Sequence, residues 1–142
     1  MPDLTSPIGH TKHGDLSLDQ IADLMPGMAR LMLEISDRYW ILYYAAQGGN
    51  WDLARHQFGE IRKAMQSAGV TRPKYQEPLA GFEKEKLMPI LSAIRAKDWP
   101  AFEVAYNDCA SAANEMHVEF GYGYVDWQLP PEPPKHLRLT ES

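Results

Sequence analysis

The chain has 142 residues, of which 44% are hydrophobic and 23% charged, so it can bury one core and has the composition of a soluble globular domain. Its net charge of −5, with scattered lysines and arginines, disfavours a nucleic-acid partner. The single cysteine, Cys109, excludes an internal disulfide and a multi-cysteine metal site. No signal peptide or membrane span is apparent. If Met1 is the native start, we expect a cytoplasmic protein with no membrane partner.

The beginning of the chain is predicted to be an arm followed by a short helix. Residues 1–16 are rich in Pro, Gly, Thr, Ser and His, which indicates a flexible, extended arm, and no β-hairpin pattern is seen. Ser17 and Gln20 have the spacing of a capping box, which predicts a helix over Leu18–Met25. Pro26 and Gly27 are expected to break or kink the chain.

Two longer helices are predicted next from apolar stripes with helical spacing. The first stripe begins at Met28, repeats at intervals of 4, 3, 4, 3 and 4 residues, and is ended by the glycine pair at 48–49. Asn50 is a good N-cap for the following helix, whose stripe runs from Ala54 to Met65. Gly69 is expected to end this second helix.

Two further helices complete the predicted set. Pro78 suits the first turn of one that reaches about Lys97, and Pro89 predicts a kink inside it. Asp98 is expected to cap the last helix, which glycines at 121 and 123 bring to an end.

The fold class predicted from these elements is all-α. We expect an antiparallel four-helix bundle over residues 17–123, with the N-terminal arm at 1–16. The Pro-rich residues 124–142 are expected to form an extended tail that packs on the bundle. The tail either simply buries its aromatic residues or also covers a cavity as a lid, and the two interpretations are compatible.

The last predicted helix carries a histidine after a run of small residues. His117 falls on the inward face, and residues 110–113 read ASAA. Small side chains in a bundle let a neighbouring helix approach closely, or they leave space for a ligand. The sequence leaves both outcomes open.

Two segments resemble the small c-type cytochromes of the four-helix-bundle, cytochrome c-prime-like class. Members of that family carry N-W-x-L-A at the start of the second helix and C-N-x-C-H near the end of the fourth. Here residues 50–54 read NWDLA and residues 113–117 read ANEMH. The resemblance covers roughly residues 28–130 and implies a bundle whose interior held a haem beside His117.

The chain departs from that family at the haem-attachment positions. Ala113 and Met116 stand where the resembled motif has the two cysteines that form thioethers to haem. Neither side chain can form that bond, and Cys109 lies four residues before Ala113, at the wrong spacing. We therefore expect no covalent haem and, in the favoured interpretation, no cofactor.

Three interpretations of the retained histidine remain open. His117 is a structural residue of a non-catalytic bundle, or it is the axial ligand of a non-covalent haem b in an electron-transfer or haem-binding protein. In the third, favoured interpretation, the former haem cavity binds a small aromatic or phenolic molecule. His117 would then be the general acid or base of a cofactor-independent lyase or isomerase, or part of a binding protein for the same ligand.

The candidate site follows from helical geometry on the first and last long helices and from the aromatic residues of the tail. The predicted catalytic residues are His117, Tyr39 and Tyr106. No metal is expected, except at His117 if haem is bound. Arg38 is ambiguous, because with Glu34 it forms an i,i+4 pair that is typical of a solvated face, yet it could bind a substrate carboxylate. A small aromatic molecule is the expected partner, and a homodimer is left open. The predicted substrate-binding residues are Met32, Arg38, Tyr43, Cys109, Ala113, Met116, Phe120, Tyr122 and Trp127.

Overall fold

The computed structural model describes residues 6–141, which are mostly helical and include one small antiparallel sheet. The prediction of a helical fold is confirmed. No helix in the described part of the chain is long and apolar enough to cross a membrane. The elements in chain order are β1 (Pro7–Thr11), β2 (Gly14–Ser17), α1 (Leu18–Leu24), α2 (Met28–Gly48), α3 (Trp51–Thr71), a 3₁₀ turn (Pro73–Tyr75), α4 (Gln76–Phe82), a π-helical segment (Glu83–Leu87), α5 (Met88–Ala96) and α6 (Trp99–Glu119).

The N-terminal segment holds a β-hairpin, so the prediction of an arm without β structure was wrong for its described residues. β1 pairs with β2 in antiparallel register, and His10 Nδ1 donates to Asp15 Oδ1 at 2.8 Å. The Thr11 hydroxyl donates to the Gly14 carbonyl, where Gly14 has a φ of +146° that favours glycine. Most side chains of both strands are exposed, so the alternating apolar pattern that reveals a half-buried strand is absent. Residues 1–5 of the predicted arm lie outside the described residues.

The predicted helix starts are confirmed, and so is the predicted end of the first long helix at the glycine pair 48–49. Ser17 accepts from the Gln20 backbone N–H at 3.1 Å, and the Gln20 side chain accepts from the Ser17 N–H at 2.8 Å, as a capping box requires. Asn50 and Asp98 each accept a backbone N–H at 3.1 Å at the start of α3 and α6. Gly49, with a φ of +86°, ends α2 in the left-handed conformation.

Gly69 does not end the second long helix as predicted. α3 continues to Thr71, and Gly69 is buried within its last turns. A Cβ at position 69 would lie 3.4 Å from the Gln76 Cα, so the missing side chain allows the start of α4 to pack closely. Glycine here serves a helix contact rather than a helix end.

The interruption expected at Pro89 lies just before it. α4 and α5 are joined without a break by the π-helical segment Glu83–Leu87, in which the Met88 N–H bonds the Glu83 carbonyl. Proline lacks an N–H and crowds the preceding turn, which disfavours regular α-helical bonding there. Glu83 is also held from α3, because it accepts hydrogen bonds from Arg62 and Gln66.

The core is formed where α2, α3, α4, α5 and α6 pack against one another. α2, α3 and α6 contribute the apolar stripes read from the sequence, and the stripe of the predicted third helix is divided among α4, the π-helical segment and α5. Burying a large apolar side chain contributes about 1.5–3 kcal/mol, so this cluster dominates the stability of the fold. The largest fully buried side chains are Leu42, Phe58, Ile61, Leu87, Ile90, Phe102 and Tyr106.

The C-terminal tail has almost no regular structure and lies along α2. Side chains on α2 hold it through its backbone: Tyr44 donates to the carbonyl of residue 130 at 2.7 Å and Trp40 to that of residue 132 at 2.9 Å. Asn50, just beyond α2, donates to the carbonyl of residue 138 at 2.9 Å. The tail carbonyl at residue 139 sits over Gly48, where a Cβ would lie 2.1 Å from it. Only glycine permits this approach.

Candidate functional site

A cavity of about 590 Å³ lies between the first half of α2 and the last half of α6. Its floor comes from α3 and from the α4–π segment, and residues 120–127 close one side. The wall is almost wholly aliphatic, aromatic or thioether. Among the residues that the structure describes, no Asp, Glu, Lys or Arg lines it. The wall is therefore uncharged apart from any charge on His117.

Most of the sequence-predicted site residues line this cavity. Ala110 and Ala113 face it from α6, so the small residues before His117 leave space at this point. Ala113 and Met116, at the positions of the missing haem cysteines, both belong to the wall. The predicted residues on the wall are Met32, Tyr39, Cys109, Ala113, Met116, His117, Phe120, Tyr122 and Trp127.

Two predicted substrate-binding residues face elsewhere. Arg38 Nη1 donates to the Oε1 of the buried Gln57 at 2.9 Å, and Nη2 lies 3.6 Å from Glu34, so this guanidinium serves the α2–α3 contact and the i,i+4 pair. The Tyr43 hydroxyl donates to Glu103 Oε2 at 3.0 Å. Neither residue lines the cavity, and their assignment to it is corrected.

Tyr39 and Tyr106 form a closed pair between α2 and α6. Their rings stack with centroids 4.0 Å apart and planes 6° from parallel. The Tyr39 hydroxyl donates to the Tyr106 carbonyl at 2.6 Å, and the Tyr106 hydroxyl donates to the Tyr39 carbonyl at 2.7 Å. Burial, the largest cause, raises the pKa of both hydroxyls. Each hydroxyl already donates its proton to a backbone carbonyl, so we correct the prediction that Tyr39 and Tyr106 are catalytic. Tyr39 contributes its ring to the cavity wall, whereas Tyr106 is a buried core residue.

Replacing Tyr106 with Phe tests this structural role. The variant keeps the ring stack and loses one buried hydrogen bond, so we expect the free energy of unfolding to fall by about 1 kcal/mol in urea titrations. Ligand affinity should not change. Tyr124→Phe, at a residue that is 81% exposed, is the control and should leave stability unaltered. A Tyr106→Phe variant with full stability but no activity would restore the catalytic assignment.

His117 is the polar residue that best suits contact with a ligand. Its Nδ1 lies 2.8 Å from the carbonyl oxygen of Val125. A carbonyl only accepts, so Nδ1 carries the proton, and in the neutral ring Nε2 keeps a lone pair. No residue in the described part of the chain bonds Nε2. His117 is one of the lining residues, so it can offer this acceptor to a bound molecule.

Cys109 lies on the same wall but is a poor nucleophile. Its side chain is buried, and burial raises the pKa of the thiol to about 11. The reactive thiolate is therefore scarce at neutral pH. Cys109 is best described as a small apolar lining residue.

Residues 122–127 form one side of the cavity, and Asn114 holds them through Trp127. The Trp127 N–H donates to Asn114 Oδ1 at 2.8 Å, and Asn114 Nδ2 donates to the Trp127 carbonyl at 3.1 Å. The Trp127 indole donates to Ser36 on α2 at 2.9 Å. Sequence reasoning placed Trp127 at the site but missed Ser36, Tyr124 and Val125. Asn114 was visible in the resembled motif, although its partner was not.

Replacing Asn114 with Ala should loosen this side of the cavity. Two half-buried hydrogen bonds are lost, so we expect the free energy of unfolding to fall by about 1–3 kcal/mol. Hydrogen exchange of the Trp127 amide should become faster. Asn107→Ala, at an exposed position on the same helix, is the control and should change neither. Equal exchange rates in both variants would show that Asn114 does not hold the tail.

Comparison with family models, curated proteins and solved structures found no match to this chain. The cytochrome resemblance therefore stays a prediction. It rests on residues 50–54 and 113–117.

Proposed function

We propose that the protein binds a small aromatic or phenolic molecule in the cavity beside His117. The observation that carries the proposal is a cavity of about 590 Å³ with an apolar, uncharged wall. Volumes of about 300–1,000 Å³ with few polar groups are typical of small-molecule pockets. Aromatic rings offer stacking surfaces, and methionines adapt to ligand shape. The methionines on the wall are Met28, Met32, Met65 and Met116.

The proposal includes a fold of the cytochrome c-prime-like type without covalent haem. The four helices of an antiparallel bundle would be α2, α3, the composite of α4 and α5, and α6. Short connections between consecutive helices support this arrangement. So does the position of the cavity, because Ala113 and Met116 line it where the family's cysteines would hold haem.

We propose further that His117 acts on the bound molecule as a general acid or base. The reaction class is that of a cofactor-independent lyase or isomerase. The hydrogen bond to Val125 fixes the ring and leaves the Nε2 lone pair to accept a proton. The Tyr39 hydroxyl is committed and the Cys109 thiol is neutral, so His117 is the wall residue best suited to proton transfer.

Thermal unfolding in the presence of small aromatic compounds tests the binding proposal. A ligand at a hundred times its dissociation constant stabilises a folded protein by about 2.7 kcal/mol. We expect toluene or phenol to raise the melting temperature in a concentration-dependent way. If no compound in a panel of one-ring and two-ring aromatics does so, the bundle is a non-catalytic, structural protein or carries another ligand.

Non-covalent haem b is the second candidate function. A histidine that donates Nδ1–H to a backbone carbonyl is well oriented to bind iron through Nε2. His117 therefore suits the role of axial ligand. The wall offers no lysine or arginine to the haem carboxylates, however, so these would have to reach solvent at the cavity mouth. Haem would supply electron-transfer or gas-binding chemistry. A Soret band that survives dialysis and changes in His117→Ala would establish this function, whereas we expect no such band.

A further inference from the structure

We infer that the molecule bound in this cavity is neutral and donates a hydrogen bond to Nε2 of His117, as the hydroxyl of a phenol or the N–H of an indole can. The inference rests on the proposed function and adds the chemistry of the ligand's polar group. It also excludes aromatic carboxylates and ammonium ions as preferred ligands. The first part follows from the partner of His117 Nδ1, and the second from the absence of Asp, Glu, Lys and Arg on the described wall.

His117 presents an acceptor because its own proton is already used, and Tyr39 offers no free donor beside it. His117 gives its Nδ1 proton to Val125, and Tyr39 gives its hydroxyl proton to the Tyr106 carbonyl. The Ser36 oxygen accepts the Trp127 indole proton at 2.9 Å and keeps its own hydroxyl proton, so Ser36 can add a second hydrogen bond to a ligand oxygen. Nε2 of His117 is the ring nitrogen left without a partner among the described residues. A ligand that brings its own proton satisfies it, whereas a ligand that only accepts does not.

The absence of charge on the described wall selects against ionic ligands. A carboxylate would meet no Lys or Arg and could pair only if His117 first gained a proton at Nε2, and an ammonium would meet no Asp or Glu. Lys86 influences the Cys109 thiol electrostatically, but it is not a lining residue. An ion moved from water into an apolar site without a partner loses hydration that nothing replaces. The neutral form of a compound should therefore bind and its ionised form should not.

Isothermal calorimetry with one-ring compounds of similar size tests the inference. The series is phenol, toluene, benzoate and benzylammonium. Phenol should bind about threefold to tenfold more tightly than toluene, which corresponds to one net hydrogen bond. Benzoate and benzylammonium should bind at least about tenfold more weakly than toluene. Equal affinities for phenol and toluene, or a preference for benzoate, would overturn the inference and leave the proposed cavity in place.

A variant and a spectroscopic measurement assign the effect to His117. His117→Phe keeps a ring of similar shape without an acceptor, so phenol and toluene should bind equally, whereas His136→Phe, at an exposed histidine, should keep the phenol preference. If His117→Phe does not fold, ¹⁵N NMR of the wild-type protein decides. Phenol should shift the Nε2 resonance and toluene should not. Failure of both compounds to bind would instead refute the proposed function itself.

Discussion

Filling the cavity with two phenylalanines, in the variant Ala110→Phe with Ala113→Phe, is expected to lower the affinity for small aromatic molecules at least about a hundredfold. Both alanines lie on the cavity wall, and they are three residues apart on one face of α6. The new rings would occupy the space that a ligand needs, which corresponds to a loss of at least about 2.7 kcal/mol of binding free energy. Calorimetry with toluene measures the change.

Stability distinguishes a filled cavity from a damaged fold. Apolar rings that enter existing space bury new surface, so the free energy of unfolding of the double variant should stay level or rise. The matched control is Ser111→Phe with Glu115→Phe, which adds the same rings to exposed positions of α6 and should leave ligand affinity unchanged. Full toluene affinity in the double variant would mean that the ligand binds elsewhere.

Replacing His117 with Ala should lower kcat about 100-fold to 10,000-fold for any aromatic compound that the wild-type protein converts. This is the usual contribution of a positioned general acid or base. KM should change much less, because most of the contact between ligand and wall is apolar. Steady-state kinetics give both values, and a conversion screen of the compounds that raise the melting temperature supplies the substrate.

Three controls separate proton transfer from a structural effect of this variant. His117 also contacts Val125, so hydrogen exchange of residues 122–127 must be measured in the variant. Imidazole added to the solution should enter the vacated space and restore part of the rate. His56→Ala, at an exposed position on α3, should convert substrate normally. A wild-type rate in His117→Ala would remove the proposed acid–base role and leave a binding protein.

Local signals explain how much of the fold was predictable. Ser17, Asn50 and Asp98 accept nearby backbone N–H groups, so their effects are encoded within three residues. The prediction that Gly69 ends a helix was wrong because its missing side chain makes room for Gln76, seven residues later. A local sequence pattern does not reveal such a contact. The hairpin at residues 7–17 was missed because a mostly exposed ribbon has no alternating apolar pattern.

The sequence predicted which face of each helix carries the site, but not how closely each residue approaches the neighbouring helix. The stripe on α6 correctly places Cys109, Ala113 and His117 on one inward face, and all three line the cavity. Tyr106 shares that stripe, yet it meets Tyr39 in direct ring contact, and the cavity opens only beyond that pair. Helical spacing gives the face of a side chain and not its distance from the neighbouring helix. That distance depends on tertiary packing.

The position of residues 122–127 depends on hydrogen bonds between residues distant in the chain, which the sequence does not reveal. Their position on the wall depends on Asn114 and Ser36, which lie 13 and 91 residues from Trp127 in the chain. Such pairings become visible only when the helices are in place. The sequence left open whether the tail covers a cavity, and the structure places Tyr122, Tyr124 and Trp127 on its wall.

A crystal structure of the protein with 4-bromophenol would test the central claim most directly. Anomalous scattering locates bromine without ambiguity. We predict one strong bromine peak inside the cavity between α2 and α6, with the phenol oxygen at about 2.7–3.0 Å from Nε2 of His117. An ordered structure in which the cavity is collapsed, or in which bromine is found only on the protein surface at saturating ligand, would contradict the account.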